Sequence, residues 1–251
     1  MYVHGGGWIC PGKEVQIQQL TPLVRAGLSV FSINYPLGPW ERFPTALVSV
    51  LRAAAWVRKQ GYQELHFYGA SAGGNLITMA AALMCNRPLL EALAAEVDEP
   101  LCSWDYPTVV SVVSCYGILD RDSWAGHARS RLCAAGLQYC FDAYESASDV
   151  FGNRMTLLEV ADEITDYPPM LLIVADTDPT GLQSSSHLAF ETMRGIARLE
   201  KHHFPGTHGF VEYPPQIQSG LFGVDWEQAA KPANDVIVRW LGGGYTSRAH
   251  A

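Results

Sequence analysis

The chain has 251 residues, of which 48% are hydrophobic and 17% are charged. This is the composition of a folded globular protein, and it excludes intrinsically disordered and collagen-like chains. The 17 Lys and Arg residues against 25 Asp and Glu give a net charge of −8, and the basic residues form no run, so nucleic acids and anionic membrane surfaces are not expected as partners. We expect one domain over residues 1–251, since large α/β sheets often reach this length as a single unit.

The first residues have neither a basic region nor an apolar stretch of the kind that begins a secretory signal, so we expect a cytoplasmic protein. An uncharged stretch runs over residues 67–85, but three glycines, a serine and an asparagine interrupt it. This pattern predicts a buried strand followed by a buried helix rather than a membrane span.

The cysteines are too few for a disulfide framework, and none has the C-x-x-C spacing of a zinc or redox site. They are Cys10, Cys85, Cys102, Cys115, Cys133 and Cys140. We expect free, buried thiols, with a Cys133–Cys140 disulfide as the alternative, and neither a metal nor a cofactor.

Short apolar runs alternate with longer amphipathic segments, which is typical of a mostly parallel sheet covered by helices. The predicted strands are 28–34, 64–69, 108–115, 170–175 and 199–204, with 2–3 as a short first strand. The predicted helices are 45–60, 74–85, 182–194 and 232–241. The sequence therefore predicts an α/β fold.

More than 50 residues separate the strands 108–115 and 170–175, which is long for a connection in a compact domain. This stretch carries its own predicted helix at 130–145. We interpret residues 118–168 as a small helical lid inserted over one end of the sheet, and a plain crossover helix is the alternative.

A G-x-S-x-G pentapeptide, residues 69–73, joins the strand 64–69 to the helix that follows. In a nucleophile elbow the serine sits on a tight, strained turn, and the flanking glycines let strand and helix approach closely. Ser71 is therefore the candidate nucleophile. A serine with a purely structural role in the turn is the alternative.

A His-Gly-Gly-Gly run, residues 4–7, directly follows the short first strand. Successive glycines leave backbone amides unobstructed, and this is where an α/β-hydrolase supplies donors for an oxyanion. We expect the amides of Gly6 and Gly7 to be donors, together with that of Ala72, the residue after the nucleophile. His4 is interpreted as a residue that braces the loop. A flexible loop with a chance histidine is the alternative.

A serine nucleophile needs a general base, itself oriented by a carboxylate, and in this fold the chain order is Ser, acid, His. Asp178 follows the strand 170–175 and His208 follows the strand 199–204, so both occupy the expected loops. Asp176 competes with Asp178, but it still lies at the end of its strand. The other histidines are interpreted as ordinary core or surface residues.

Five sequence blocks, in order, resemble the hormone-sensitive-lipase-like carboxylesterases, the α/β-hydrolase fold-3 group. They are HGGGW at 4–8, NYPLGPWE at 34–41 with FPTAL at 43–47, GASAGGN at 69–75, PP at 168–169 leading to DP at 178–179, and GTHGF at 206–210. The resemblance implies the α/β-hydrolase fold, with Ser71, Asp178 and His208 as the triad and Gly6, Gly7 and Ala72 as oxyanion donors. Members of this family usually carry an upstream segment that supplies edge strands and part of the cap. We expect those N-terminal strands to be missing here, which would leave 28–34 as an exposed edge able to form a homodimer.

These residues predict a serine carboxylesterase acting on short-chain or aryl esters through an acyl-enzyme. The alternatives are an arylformamidase-like amidase, which uses the same triad, a non-catalytic binder of small molecules and an inactive fragment. Candidate walls of the substrate pocket are aromatic; they are Trp8, Trp124, Phe210 and Phe222. Each of these rings is equally well explained as ordinary core.

Overall fold

The computed structural model describes residues 1–14, 20–147, 149–211 and 228–244. Its strands, all parallel, form one sheet in the order β2–β1–β3–β4–β5–β6. They are β1 (Tyr2–Val3), β2 (Ser32–Ile33), β3 (Glu64–Ala70), β4 (Thr108–Cys115), β5 (Met170–Ala175) and β6 (Leu199–Phe204). The predicted parallel sheet is confirmed, and the bounds of β4, β5 and β6 agree with those predicted.

Helices connect the strands. They are α1 (Thr21–Arg25), α2 (Thr45–Lys59), α3 (Ala72–Cys85), α4 (Arg87–Ala94), α5 (Arg131–Tyr144), α6 (Leu182–Met193) and α7 (Ala230–Arg239), followed by a π-helical turn at Trp240–Gly244. The predicted helices are all present, with ends that differ by one or two residues. Neither α1 nor α4 is predicted by the sequence pattern, because both are too short for a clear apolar periodicity.

The predicted strand 28–34 is wrong in extent, since only Ser32 and Ile33 pair with β1. A strand needs a partner along its length, and β1 offers only Tyr2 and Val3. Residues 28–30 therefore lie outside the ladder, and the Phe31 carbonyl accepts a hydrogen bond from the Tyr2 amide at 2.8 Å. β2 lies at one edge of the described sheet, and dimerisation through that edge stays a prediction.

The sheet is covered on both faces, because alternate side chains of its strands point to opposite sides. Val3 and Phe67 belong to a large buried cluster that includes α2 and α3. Tyr2 and Tyr68 belong to a second cluster, which includes residues of α1 and α7. The parallel strands thus end at one common edge, where the loops carrying the candidate residues emerge.

The stretch 118–168 folds as α5 together with short 3-10 turns. Two of its salt bridges meet at Arg121, which bonds Glu145 at 2.8 Å and Glu159 at 3.0 Å. The predicted helix is confirmed as Arg131–Tyr144. That this stretch acts as a lid stays a prediction.

The six cysteines are free, but the prediction that they are buried holds only for Cys115, because Cys10 and Cys85 are exposed and the others are half-buried. The alternative Cys133–Cys140 disulfide is excluded, since both residues lie on α5, seven positions apart. A helix separates such residues by about 10 Å along its axis, beyond the reach of a disulfide.

Within the described ranges, no single helix is long and apolar enough to cross a membrane. Helices α3 and α4 meet the length and composition criteria only as a pair, with a 108° bend between them.

Candidate active site

Ser71 occupies a strained turn between β3 and α3. Its backbone has φ 52° and ψ −122°, a conformation that residues other than glycine rarely adopt. A Cβ on Gly69 would lie 2.6 Å from the carbonyl oxygen of Gly73, and one on Gly73 would lie 2.1 Å from that of Val3. The two glycines therefore allow β3, α3 and β1 to come together, as the pentapeptide predicts for an elbow.

Three predicted residues meet at the carboxyl edge of the sheet. His208 Nε2 lies 2.9 Å from Ser71 Oγ, and His208 Nδ1 lies 2.8 Å from Asp178 Oδ2. Asp178 follows β5 and His208 follows β6, so adjacent parallel strands bring both loops to the same place. The arrangement is a continuous hydrogen-bonded chain from a hydroxyl through an imidazole to a carboxylate.

The carboxylate of Asp178 is fully buried. Its Oδ1 accepts hydrogen bonds from the Thr180 amide at 2.9 Å and the Thr180 hydroxyl at 2.5 Å. Burial acts to raise the pKa of Asp178, but the charge of His208 and the hydrogen bonds from His208 and Thr180 outweigh it and lower the pKa below its ordinary value. The carboxylate is thus kept ionised beside Nδ1, which fixes the proton of the neutral imidazole on Nδ1 and leaves Nε2 free to accept one.

Asp176, the competing acid, does not contact His208. Its Oδ1 lies 2.9 Å from Nδ1 of His203, and both side chains are about half exposed at the surface. Asp178 alone of these two acids reaches the imidazole that contacts Ser71.

The glycine run after β1 forms a tight turn at residues 6–10, which we name the oxyanion turn after its predicted role. The carbonyl oxygen of Gly6 accepts hydrogen bonds from the amides of Ile9 and Cys10, each at 3.1 Å. Gly6 has φ 110° and Gly7 has φ 58°, so both positions favour glycine. The amides of Gly6 and Gly7 have no acceptor among the described residues, and Ala72 is the first residue of α3, where helix amides are unpaired.

His4 braces the start of this turn from within the core. The ring is buried, stacks on Tyr35 with centroids 4.3 Å apart, and contacts the Gly5 carbonyl through Nδ1 at 2.7 Å. The Tyr35 hydroxyl donates to the His4 carbonyl at 3.0 Å. Burial lowers the pKa of His4. These contacts fit the predicted bracing role.

Tyr116 is a site residue that the sequence pattern does not reveal. Its ring lies 5.0 Å from that of His208 in an edge-on arrangement, and its backbone has φ 39°. The preceding carbonyl, of Cys115, accepts the Ser71 amide at 2.9 Å. The end of β4 therefore contacts both the elbow and the imidazole. The only available signal is that Tyr116 directly follows a predicted strand, at the edge where the other candidates collect.

Three of the four aromatic residues predicted as pocket walls lie in the described ranges, and these three are almost wholly buried. Trp8 stacks on Tyr144 with centroids 4.6 Å apart, and Phe210 packs against Tyr116 at 5.7 Å. Trp124 stacks on Phe141 of α5 at 6.1 Å. Contact of these rings with a substrate stays a prediction, and Phe222 lies outside the described residues.

Comparison with known proteins identifies the family. A family model described as the alpha/beta hydrolase fold matches residues 1–211. The chain therefore belongs to this family, and within it to the hormone-sensitive-lipase-like group that its motifs resemble.

Two curated relatives match most of the chain. A putative alpha/beta hydrolase of Acanthamoeba polyphaga mimivirus is 23% identical over 87% of this chain, which spans 62% of the viral protein. The ethyl acetate hydrolase of Pseudomonas putida is 27% identical over 89% of this chain, which spans 69% of that enzyme. Among solved structures, carboxyl esterase 2 of Tuber melanosporum superposes with a TM-score of 0.73 at 19% identity, covering 96% of this chain and 77% of that one. The structural similarity shows a common fold.

Proposed function

We propose that the chain is a serine carboxylesterase that hydrolyses short-chain or aryl esters through an acyl-enzyme. The observation that carries this proposal is the hydrogen-bonded chain from Ser71 Oγ to His208 and on to the buried Asp178, with distances of 2.9 and 2.8 Å. Distances and order of this kind are what activation of a weak hydroxyl nucleophile requires.

In this mechanism Nε2 of His208 takes the proton of Ser71 as Oγ attacks the ester carbonyl carbon. Asp178 holds the imidazole in the required tautomer and stabilises its charged form. The imidazolium then gives its proton to the leaving alcohol oxygen as the C–O bond breaks. Water repeats the sequence on the acyl-enzyme, with His208 as base, and releases the carboxylic acid and free Ser71.

The tetrahedral intermediate carries a negative oxygen, for which we assign the amides of Gly6, Gly7 and Ala72. The first two lie in a turn with no competing acceptors among the described residues, and the third gains from the amino end of α3. Each donor of this kind is typically worth about 3 kcal/mol in the barrier. The scheme needs no metal or cofactor.

The proposed substrate class rests on two observations. One relative is named as a hydrolase of ethyl acetate, an ester of a short acid. Apolar rings pack beside the candidate site, since Phe210 contacts Tyr116 and Tyr116 contacts His208, and apolar surroundings suit a small acyl or aryl group. Hydrolysis of an amide by the same residues, as in an arylformamidase, is the second reaction the assay must measure.

The test is hydrolysis of p-nitrophenyl acetate, butyrate and octanoate, beside an aryl formamide, by the purified protein. Ser71→Ala removes the nucleophile, and Ser103→Ala changes an exposed serine on a 3-10 turn as the matched control. We expect turnover of the acetate or butyrate ester, full activity in Ser103→Ala, and no activity above background in Ser71→Ala. A fluorophosphonate should label Ser71 and no other serine.

Two results contradict the proposal. A folded protein that hydrolyses no ester and takes no fluorophosphonate indicates a non-catalytic binder. Faster turnover of the formamide than of any ester indicates an amidase.

A further inference from the structure

Two thiols, neither of which the mechanism uses, border the oxyanion turn. Cys10 closes the turn from its exposed side: its Sγ lies 3.5 Å from the Gly6 carbonyl oxygen, to which its amide also donates. Cys140 approaches from α5 and is half-buried. The turn and the helix therefore each contribute one cysteine to the same small region.

Cys140 is in direct contact with Gly7. A Cβ built on Gly7 would lie only 2.4 Å from Cys140 Sγ, so the sulfur rests against the α-carbon of a residue whose amide is assigned to the oxyanion. Burial raises the pKa of Cys140 to about 11, and the negative charge of an ionised Cys10 adds to the increase. The two sulfurs thus lie against consecutive residues of the turn, Cys10 Sγ beside the Gly6 carbonyl and Cys140 Sγ beside the Gly7 α-carbon.

We propose that Cys10 and Cys140 form a dithiol site for disulfide-class oxidants, and that the disulfide formed between them joins α5 to the oxyanion turn and slows hydrolysis. The loss of activity rests on the proposed esterase function, whereas formation of the bond does not. Cys133 lies about 10 Å from Cys140 along the same helix, so it is not expected to replace Cys140 in a disulfide with Cys10.

The oxidation is balanced with glutathione disulfide as the oxidant. The exposed Cys10 loses its proton, and its sulfur attacks one glutathione sulfur and releases the other as a thiolate. Cys140 then loses its proton, attacks the Cys10 sulfur and releases the second glutathione thiolate. Two glutathione molecules leave as thiols after taking up two protons, and the protein dithiol has given up two electrons. The raised pKa of Cys140 makes the second step the slow one.

The new bond changes the geometry of the oxyanion turn. A disulfide holds its two Cβ atoms about 3.8 Å apart, so Cys140 Sγ must turn from Gly7 towards Cys10, or Cys10 must move across the turn. Either movement shifts the Gly6 carbonyl and the amide that follows it, because Cys10 is hydrogen-bonded to that carbonyl. Loss of one oxyanion donor typically lowers kcat by about 100-fold or more.

The experiment compares the wild type with Cys10→Ser, Cys140→Ser and, as the matched control on α5, Cys133→Ser. Each protein is equilibrated with glutathione disulfide, free thiols are alkylated, and peptides are identified by mass spectrometry while p-nitrophenyl acetate hydrolysis is followed. In the wild type and Cys133→Ser we expect a Cys10–Cys140 linked peptide and a fall in kcat of about 100-fold, both reversed by dithiothreitol. Glutathione disulfide should lower kcat of neither Cys10→Ser nor Cys140→Ser, each compared with the same variant in its reduced form.

Three outcomes overturn the inference: no linked peptide under strongly oxidising conditions, a linked peptide with unchanged kcat, or equal inhibition of Cys10→Ser and the wild type. The peptide is detected without any turnover, so its absence counts against the thiol site whatever the activity of the reduced protein. A reduced protein that hydrolyses no ester contradicts the proposed function instead.

Discussion

The carboxylate of Asp178 is fully buried against His208, whereas that of Asp176, two residues earlier, is 47% exposed and contacts His203. The turn after β5 thus directs one acid into the site and leaves the other at the surface. This difference makes Asp176 a built-in control for the role proposed for Asp178.

We expect Asp178→Asn to lower kcat for p-nitrophenyl acetate by about 10⁴-fold, because an amide in this position favours the wrong imidazole tautomer. Asp176→Asn should change kcat less than about threefold, since it removes only a surface contact with a histidine. Circular dichroism checks that both variants fold. If Asp176→Asn is the crippling substitution, the assignment of the triad acid is wrong.

The dependence of activity on pH tests the histidine base. Only a neutral His208 can take the Ser71 proton, so kcat/KM should fall about tenfold per pH unit below about 6.5, the ordinary pKa of histidine. The lowered pKa of Asp178 means that this acid stays ionised throughout that range. The ionised Asp178 carboxylate stabilises the folded protein above the ordinary aspartate pKa. This stabilisation is lost only as pH falls through the lowered pKa of Asp178.

Loss of activity near pH 5 should therefore be reversible and precede unfolding. Rates measured from pH 4 to 8, with circular dichroism at each pH, distinguish titration from denaturation. Activity that stays constant down to pH 4 would exclude a histidine base.

The sequence predicts those elements whose pattern is complete within the element. The strands β4, β5 and β6 each carry a continuous run bounded by turns, and their predicted ends agree with the structure. β2 is different, since its length depends on how much of β1 is there to pair with, and periodicity does not report that. The prediction that the cysteines are buried is wrong for a related reason. Cys10, for example, lies in a turn whose exposure depends on the tertiary structure.

The candidate site shows the same division. The sequence predicts that Ser71, Asp178 and His208 lie together, because each follows a strand of one parallel sheet, and their hydrogen bonds have the geometry that this prediction implies. The sequence does not predict the contacts of Tyr116 with His208 and of Cys140 with Gly7, since packing between distant segments makes them. No spacing within the chain encodes such contacts.

Asn75, the last residue of the elbow block, connects α3 to the stretch 118–168. Its buried amide donates to the carbonyls of Ile118 at 2.9 Å and Met155 at 2.8 Å. We expect Asn75→Ala to lower the free energy of unfolding by about 2 to 4 kcal/mol, because two buried carbonyls lose their donor. Asn234→Ala is the control: among the described residues its side chain bonds a single carbonyl, that of Ala230 in its own helix, and the substitution should cost about 1 kcal/mol or less.

Urea unfolding followed by circular dichroism measures both changes in stability. Equal effects of the two substitutions would show that the bonds from Asn75 contribute no more than an ordinary helix contact. A larger loss of turnover than of stability in Asn75→Ala would indicate that the connection also positions the site.

Two glycines in helices offer opposite tests of packing. In α3, a Cβ on Gly73 would lie 2.1 Å from the Val3 carbonyl oxygen and 2.5 Å from that of His4, so backbone must move to admit it. In α5, a Cβ on Gly136 would meet no atom of the described residues within 4 Å. We expect Gly73→Ala to destabilise the protein by about 3 kcal/mol or more, since β1 and the elbow are forced apart.

Gly136→Ala should instead stabilise the protein by about 0.5 to 1 kcal/mol, because alanine loses less conformational entropy than glycine in a helix and fills open space here. Urea midpoints of the two variants beside the wild type give the comparison, and ester hydrolysis should survive only in Gly136→Ala. A Gly73→Ala protein as stable as the wild type would mean that α3 does not approach β1 as closely as described. A loss of stability in Gly136→Ala would mean that this face of α5 is covered rather than open, and the lid interpretation would have to include the segment that covers it.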